Sequence, residues 1–251
     1  SPTRRPDLGN ASGGSDMKTD TEPIDTAIVL LGGTRNDLAS VGPLPTPTLV
    51  VAADSGAHHA ESLGLRVDVV IGDMDSIDPT ALAAIQALGA RVVSHPRDKN
   101  ETDAELALTF AASQGVRRLV VVGSGGGRLD HQLSLFSLLF HQSLTDIHVE
   151  ARIGGSRSFP IREGESRTIQ CREGDIVGLL PFGGDTHGIT TEGLQWPLRN
   201  ESLFVTASRG VSNRALGSTF LVAVRTGRLL VTLDPSDESH VADESHAGNT
   251  R

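Results

Sequence analysis

The sequence predicts an α/β fold, with an N-terminal layered, mostly parallel sheet and flanking helices followed by a smaller all-β sandwich. Three observations lead there. Short Val- and Ile-rich runs alternate with helical stretches between residue 26 and about residue 142. Those runs are continuously apolar, as strands covered on both faces of a parallel sheet require. From about residue 146 the helical period disappears and turn signals recur roughly every ten residues, the rhythm of a sandwich.

The strand candidates, in order, are "TAIVLLG", "TLVVAAD", "VDVVIGD", "ARVVSH" and "RRLVVVG". Helices fall between them. "DPTALAAIQALG" supplies Asp78 as N-cap, Pro79 at the first helical position and Gly89 as terminator. "TDAELALTFAASQG" opens with Thr102 and Glu105 at capping-box spacing and stops at Gly115. "RLDHQLSLFSLLFHQ" follows the last strand of this half. Beyond it, "REGE", "REGD", "FGGD", "TEGL", "SRGV" and "RTGR" punctuate short segments such as "DIVGLLPF" and "STFLVAV". The expected division is a disordered tail over 1–24, an α/β nucleotide- and metal-binding domain over 25–145, a β-sandwich over 146–234 and a second disordered tail over 235–251. Both tails are polar and rich in charge, with little to bury; Met17 in the first is a candidate alternative start.

Composition narrows the function. The 251 residues carry a formal net charge of −9, with 21% charged and 37% hydrophobic residues. That acidity argues against nucleic acid or an anionic membrane as partner, but a phosphorylated substrate can still bind carboxylates through a metal bridge. The single cysteine, Cys171, excludes an internal disulfide framework and fits a reducing, cytoplasmic compartment. The longest apolar runs fall short of the roughly 20 residues that a membrane span needs.

Ligands of open α/β sheets bind beyond the carboxyl ends of the strands. The second strand ends in Asp54-Ser55-Gly56. The third ends in "GDMDS", with Asp73 and Asp75 two residues apart and no basic residue nearby in sequence. The fourth runs into "PRDKNETD", and the fifth into "GSGGGRLDH", containing Gly126, Gly127, Arg128, Asp130 and His131. Taken singly, each has an ordinary explanation: a solvated loop for Asp73 and Asp75, a helix cap for Thr102 and Asp103, a surface pair for Arg128 and Asp130. Together they crowd five or more carboxylates onto one sheet edge, where they repel one another unless they share a cation. Mg²⁺ takes oxygen ligands and bridges carboxylates to phosphates. The glycine loop offers backbone N–H groups at a helix start, and Arg128 is suited to clamp a phosphate bidentately. The pattern is that of a metal–nucleotide site. It lacks the Gly-Lys-Ser/Thr ending of a P-loop and the glycine spacing of a dinucleotide fold.

The ordered motifs "ADSGAHHA", "IGDMDSIDP", "DKNETDAELAL" and "GGGRLDHQLS", with "GLQWPL" and "GVSNRALG" downstream, resemble the thiamine pyrophosphokinase family over residues 26–234. The resemblance implies a Mg²⁺-dependent homodimer that transfers the diphosphate of ATP to the hydroxyl of thiamine and releases AMP. It places metal-site acids at Asp73, Asp75 and Asp103. Around the nucleotide and its phosphates it places Asp54, Thr102, Arg128 and Asp130; the strand-end reading adds Ser55, Gly56, Gly126, Gly127 and His131, and Lys99, a departure from the family, adds a charge suited to contact phosphate. It makes Trp196 the residue that stacks on thiamine from across the dimer interface, with Ser212 and Asn213 lining the same pocket. A core position in the sandwich is the competing reading of Trp196. The chain departs from the family where Asp-Gly-Gly-Ala-Asn reads Asp54-Ser55-Gly56-Ala57-His58, and where Asp-Gln-Asp-x-Thr-Asp reads Asp98-Lys99-Asn100-Glu101-Thr102-Asp103. Two other readings remain: a pyrophosphokinase for another hydroxymethyl heterocycle such as a pterin, and an inactive thiamine or nucleotide sensor.

Overall fold

The computed structural model describes residues 25–33, 40–125 and 128–236. The expected N-terminal tail with Met17, the C-terminal tail beyond residue 236, and Gly126 and Gly127 lie outside the described residues.

Six strands build the α/β half: β1 (Thr26–Leu30), β2 (Leu49–Ala53), β3 (Val69–Gly72), β4 (Arg91–Ser94), β5 (Arg118–Gly123) and β6 (His148–Ile153). They run parallel in the order β6-β5-β1-β2-β3-β4. The helices are α1 (Pro79–Ala87), α2 (Asp103–Ser113) and α3 (Leu129–Leu138). Their starts follow the sequence chemistry. Asp78 caps α1 by accepting from the backbone N–H groups of Thr80 and Ala81, and Thr102 caps α2 by accepting from that of Glu105. Apolar residues cover both faces of the sheet. Val29, Val51, Ile71 and Val121 pack against α2 and α3 on one side, while Ile28, Val50, Val70 and Val120 form the core on the other. The fourth strand differs from expectation. β4 is the sheet's edge, so Arg91 and Ser94 are exposed and Val92 and Val93 only half-buried.

The antiparallel half contains β7 (Ser156–Ile161), β8 (Ser166–Gln170), β9 (Ile176–Pro181), β10 (Thr186–Glu192), β11 (Arg199–Leu203), β12 (Asn213–Arg214), β13 (Thr219–Ala223) and β14 (Leu229–Asp234). β11, β10, β13 and β8 form a separate four-stranded sheet. The other four extend the first sheet outward from β6 in the order β7-β14-β9-β12, giving ten continuous strands. Phe159, Ile161, Leu179, Ile189, Phe220 and Val231 fill the space between the two layers. β6 lies on the sandwich side of the expected 145/146 division, yet it pairs in parallel with β5 through six residue pairs. Its sequence, "HVEARI", hides this role because two of its buried residues are charged. Glu150 accepts hydrogen bonds from Arg118, Arg152 and Arg157 and so can stay ionised inside the protein.

Candidate active site

The strand order reverses direction at β1: the chain moves from β1 to β2, β3 and β4 on one side, then returns to β5 on the other. A crevice is expected between the loops at such a switch point. A cavity of about 350 Å³ opens there, walled by Gly32 and Gly33 after β1, Asp54 and Ser55 after β2, and Ser124 and Gly125 after β5. Thr102 and Asp103 at the start of α2 line it too, as do Arg128 and His131 at the start of α3.

Three carboxylates meet at its edge. Asp54, Asp73 and Asp103 each place an oxygen within 4.8 Å of the others. The backbone is shaped to allow it. Asp54 sits at φ 45, a left-handed conformation that Asp tolerates better than most residues. Gly72, at φ 152, lies where a Cβ would come 3.0 Å from the Cβ of Asp54 and 3.1 Å from Asp103 Oδ1. Any side chain there would push the acids apart. Gly56 serves in the same way: its missing Cβ would stand 2.2 Å from the carbonyl oxygen of Leu30, so only glycine lets the turn after β2 close onto β1.

The electrostatics are unbalanced. Asp54 Oδ1 and Asp103 Oδ1 are buried and receive no hydrogen bond. Burial pushes the Asp54 carboxyl above its ordinary range, and the Asp103 and Asp73 charges add to that rise against hydrogen bonds from Ser76 and Ser55. The Asp73 carboxyl is held below its ordinary range, first by the backbone N–H of Asp75, which donates to Oδ1 at 3.1 Å. Lys99 Nζ lies 3.0 Å from Asp103 Oδ1, off the direction of a hydrogen bond. Two buried carboxylate oxygens without a hydrogen bond, beside a third acid, are a fit for a hard divalent cation such as Mg²⁺.

The structure distributes the expected residues unevenly. Asp54, Ser55, Thr102, Asp103, Arg128 and His131 line the cavity, Asp73 reaches it through the acid cluster, and Lys99 reaches it through Asp103. Asp75 lies outside the cluster of three. Its carboxylate is paired with Arg97 at 3.3 Å and accepts from the Ser76 hydroxyl. The expectation that no base neutralises this pair is therefore corrected. β3 and β4 are neighbours, with Gly72 opposite Ser94, and this carries Arg97 across from the next loop. Arg128 forks onto Asp130 through Nε and Nη2 at 3.1 and 2.6 Å, and both side chains are exposed. Ser124 and Gly125, from the "GSGGG" run after the fifth strand, line the cavity too, while Gly32 and Gly33 escaped the sequence reading of the site, although the "LLGG" after the central strand was a usable signal.

The three residues expected at thiamine lie on the antiparallel half, away from the cavity lining. Trp196 is 56% exposed, which excludes a core position in the sandwich. Asn213 is buried, and its amide holds both backbone groups of Trp196: Trp196 N–H donates to Oδ1 at 3.1 Å, and Nδ2 donates to the Trp196 carbonyl at 2.8 Å. Ser212, beside it, adopts φ 61.

Comparison with known proteins matches this architecture. A family model described as "Thiamin pyrophosphokinase, catalytic domain" matches residues 44–151, and one described as "Thiamin pyrophosphokinase, vitamin B1 binding domain" matches residues 163–231. The chain belongs to the thiamin pyrophosphokinase family. Thiamine pyrophosphokinase from Bacillus subtilis (strain 168) is 25% identical over 211 residues, covering 83% of this chain and 98% of that protein. Thiamine pyrophosphokinase 1 from Oryza sativa subsp. japonica is 30% identical over 147 residues, and the match spans only about half of that relative, 55% of its length. Among solved structures, the Bacillus subtilis thiamine pyrophosphokinase superposes with a TM-score of 0.74 at 24% identity, over 85% of this chain and 100% of the other. The Candida albicans thiamin pyrophosphokinase does so with 0.69 at 14% identity, over 84% and 88%. These structures share the two-part fold of a mostly parallel sheet followed by antiparallel layers. Among the described residues no helix is long and apolar enough to cross a membrane.

Proposed function

We propose that this protein transfers the diphosphate of ATP to the hydroxyl of thiamine, giving thiamine diphosphate and AMP. The observation that carries the reading is the acid cluster, with two buried oxygens that receive no hydrogen bond, at the mouth of the switch-point cavity, in a chain of this family. Asp73 and Asp103, with Asp54, would hold Mg²⁺, and Asp75 would join them on leaving Arg97. When bound, the ion neutralises charge on the phosphates. The protein's own residues do the positioning. Ser55, Gly56, Thr102 and His131, together with Gly126 and Gly127, surround the nucleotide and its phosphates. Arg128, released from Asp130, presents two donors in one plane to phosphate oxygens, stabilising charge that develops as the β-phosphorus is attacked. Transfer of this type depends on alignment and electrostatics more than on covalent catalysis.

Trp196 is the proposed stacking surface for thiamine, with Ser212 and Asn213 as further residues of the same pocket. Its exposure favours a site completed by a second copy of the chain. Phe204, Val205, Val211 and Leu216, also on the antiparallel half, are more than half exposed as well, and exposed apolar residues of this number favour a contact surface. The reading keeps the expected division into nucleotide and thiamine halves, moves its boundary from 145/146 to beyond β6, which pairs into the first half, and keeps the cytoplasmic placement drawn from the cysteine count. Incubation with ATP, Mg²⁺ and thiamine tests it: AMP and thiamine diphosphate should appear together. Release of ADP refutes diphosphate transfer. Turnover of a hydroxymethylpterin in place of thiamine reassigns the acceptor, and tight binding without AMP identifies a sensor.

A further inference from the structure

The family resemblance expects glutamine where this chain has Lys99. Lys99 stands four residues before Asp103, and its ammonium lies 3.0 Å from Asp103 Oδ1, the same oxygen that lacks a hydrogen bond. Its side chain is only 12% exposed, far less than the 83% of Arg97 on the same loop. The Lys99 charge also acts on Asp73. One ammonium therefore faces two of the three acids that converge within 4.8 Å. A glutamine could donate hydrogen bonds there, but it would bring no charge.

We propose that Lys99 is a built-in counter-ion of the acid cluster, which a divalent cation must displace from Asp103 in order to bind. The inference rests on the metal reading of Asp54, Asp73 and Asp103. Without the cation, Lys99 offsets part of the repulsion among the acids and holds α2's first residue in place. With the cation present, the two positive charges compete for Asp103 Oδ1, and the ammonium turns towards the substrate's phosphates. Lys99 thus sets how much divalent metal the site demands before it fills, and it makes metal and nucleotide entry mutually supportive. It is a specificity-determining residue for metal loading and need not touch the reacting atoms.

The test uses Mn²⁺ binding to the nucleotide-free, full-length protein, read by electron paramagnetic resonance of the free ion. A unit positive charge removed from within a few ångströms of a divalent ion should tighten binding about tenfold or more, even at a solvent-like dielectric. Lys99→Gln and Lys99→Met are therefore expected to bind Mn²⁺ at least about tenfold tighter than wild type. Lys99→Arg, which keeps the charge, should stay within about threefold of wild type. In EDTA the Lys99→Gln protein should melt below wild type, and added Mn²⁺ should raise its Tm more. Unchanged or weaker Mn²⁺ binding in Lys99→Gln, with binding still abolished by Asp73→Asn, overturns the counter-ion role alone. Absence of Mn²⁺ binding in wild type and Lys99→Gln alike overturns the metal reading, and this inference with it.

Discussion

Asn213→Ala should loosen Trp196 without touching the acid cluster. The Asn213 side chain makes three hydrogen bonds, to the Trp196 N–H and carbonyl and from the Arg214 N–H at 2.9 Å. Each is worth about 1 kcal/mol net, and a buried partner left unpaired costs somewhat more. Gln195, Trp196 and Pro197 are exposed, so water can rescue part of the loss. Asn213 itself is 4% exposed, and so its truncation also leaves a small gap. The sum comes to about 2 kcal/mol, and in a fold of this size each kcal/mol lowers Tm by about 2–4 °C. The functional effect should be larger than the stability effect, because Trp196 loses the two contacts that fix its backbone. Trp196 is the chain's single tryptophan, so its fluorescence anisotropy reports the loop directly. The expected result is lower anisotropy, a thiamine KM raised about tenfold and an ATP KM within about twofold of wild type. Asn213→Asp, which keeps the two acceptor contacts and loses the donor to the Trp196 carbonyl, should fall between. Wild-type anisotropy and thiamine KM in Asn213→Ala would refute the claim that this amide orders the tryptophan.

Asp73→Asn should retain the fold, by circular dichroism and Tm, and lose at least about a hundredfold in AMP release, since a Mg²⁺ ligand typically supports several kcal/mol of transition-state stabilisation. Near wild-type turnover at limiting Mg²⁺ would remove Asp73 from the site. Asp54→Asn tests the raised carboxyl. Because burial lifts Asp54 above its ordinary 3.8, its folded form binds a proton more readily than its unfolded form. Its stabilising contribution is therefore present below 3.8 and is lost as pH rises through the folded value. Asn tolerates the left-handed backbone, so metal-free Asp54→Asn should gain Tm relative to wild type as pH is raised from about 4 to 7; a constant difference would refute the shift. Arg128→Lys should lower kcat/KM for ATP about tenfold or more, since Lys lacks the planar fork; unchanged kinetics would leave the Asp130 pair as its only role. Mixing inactive Asp73→Asn with inactive Trp196→Ala should restore some activity if each site takes its acids from one copy and its tryptophan from the other, and no rescue despite proven subunit exchange would rule out a shared site.

Where local chemistry dominates, the sequence was enough. Asp78-Pro79 and Thr102-x-x-Glu105 named the starts of α1 and α2 because capping needs only neighbours along the chain. The apolar runs named five strands for the same reason. The continuity of the long sheet was not legible, because β6 carries Glu150 and Arg152 as buried residues, and only the partners Arg118 and Arg157 make that burial tolerable. At the site, Asp54, Asp73 and Asp103 all came from strand-end positions that could be read off the order of motifs. The counter-ion of their neighbour Asp75 could not. That Arg97 neutralises Asp75 depends on β3 and β4 being neighbours, a fact of topology that no spacing in the chain records, whereas Lys99 stands four residues before Asp103 and so within local reach. The clamp of Asn213 on Trp196 spans 17 residues and is equally invisible to local pattern.

The same topology explains how the site can be so poorly suited to its own stability. Three acids converge, one of them sits in a left-handed conformation, and two of their oxygens have no hydrogen bond. Each of these opposes folding, and sites of this kind persist only where the surroundings over-determine them. Here the surroundings are β1, β2, β3 and β5. Their apolar side chains are almost wholly buried, and they pack on both faces of the sheet against helices, of which α1 and α2 have their starts fixed by side-chain caps. The acids hang from the ends of these strands and from the first residue of a capped helix, so they cannot retreat from one another without unpairing strands or breaking a cap. The loop after β4 answers with two cations, one per end: Arg97 on the exposed acid, Lys99 on the buried one. Charge on this sheet edge is thus partly balanced before any ligand arrives, and the remaining imbalance is greatest at Asp54, an acid of the cavity wall that is desolvated and faces the charges of Asp103 and Asp73. A cation entering the cavity meets the unsatisfied oxygens first, which is how a rigid sheet can direct an ion to one place.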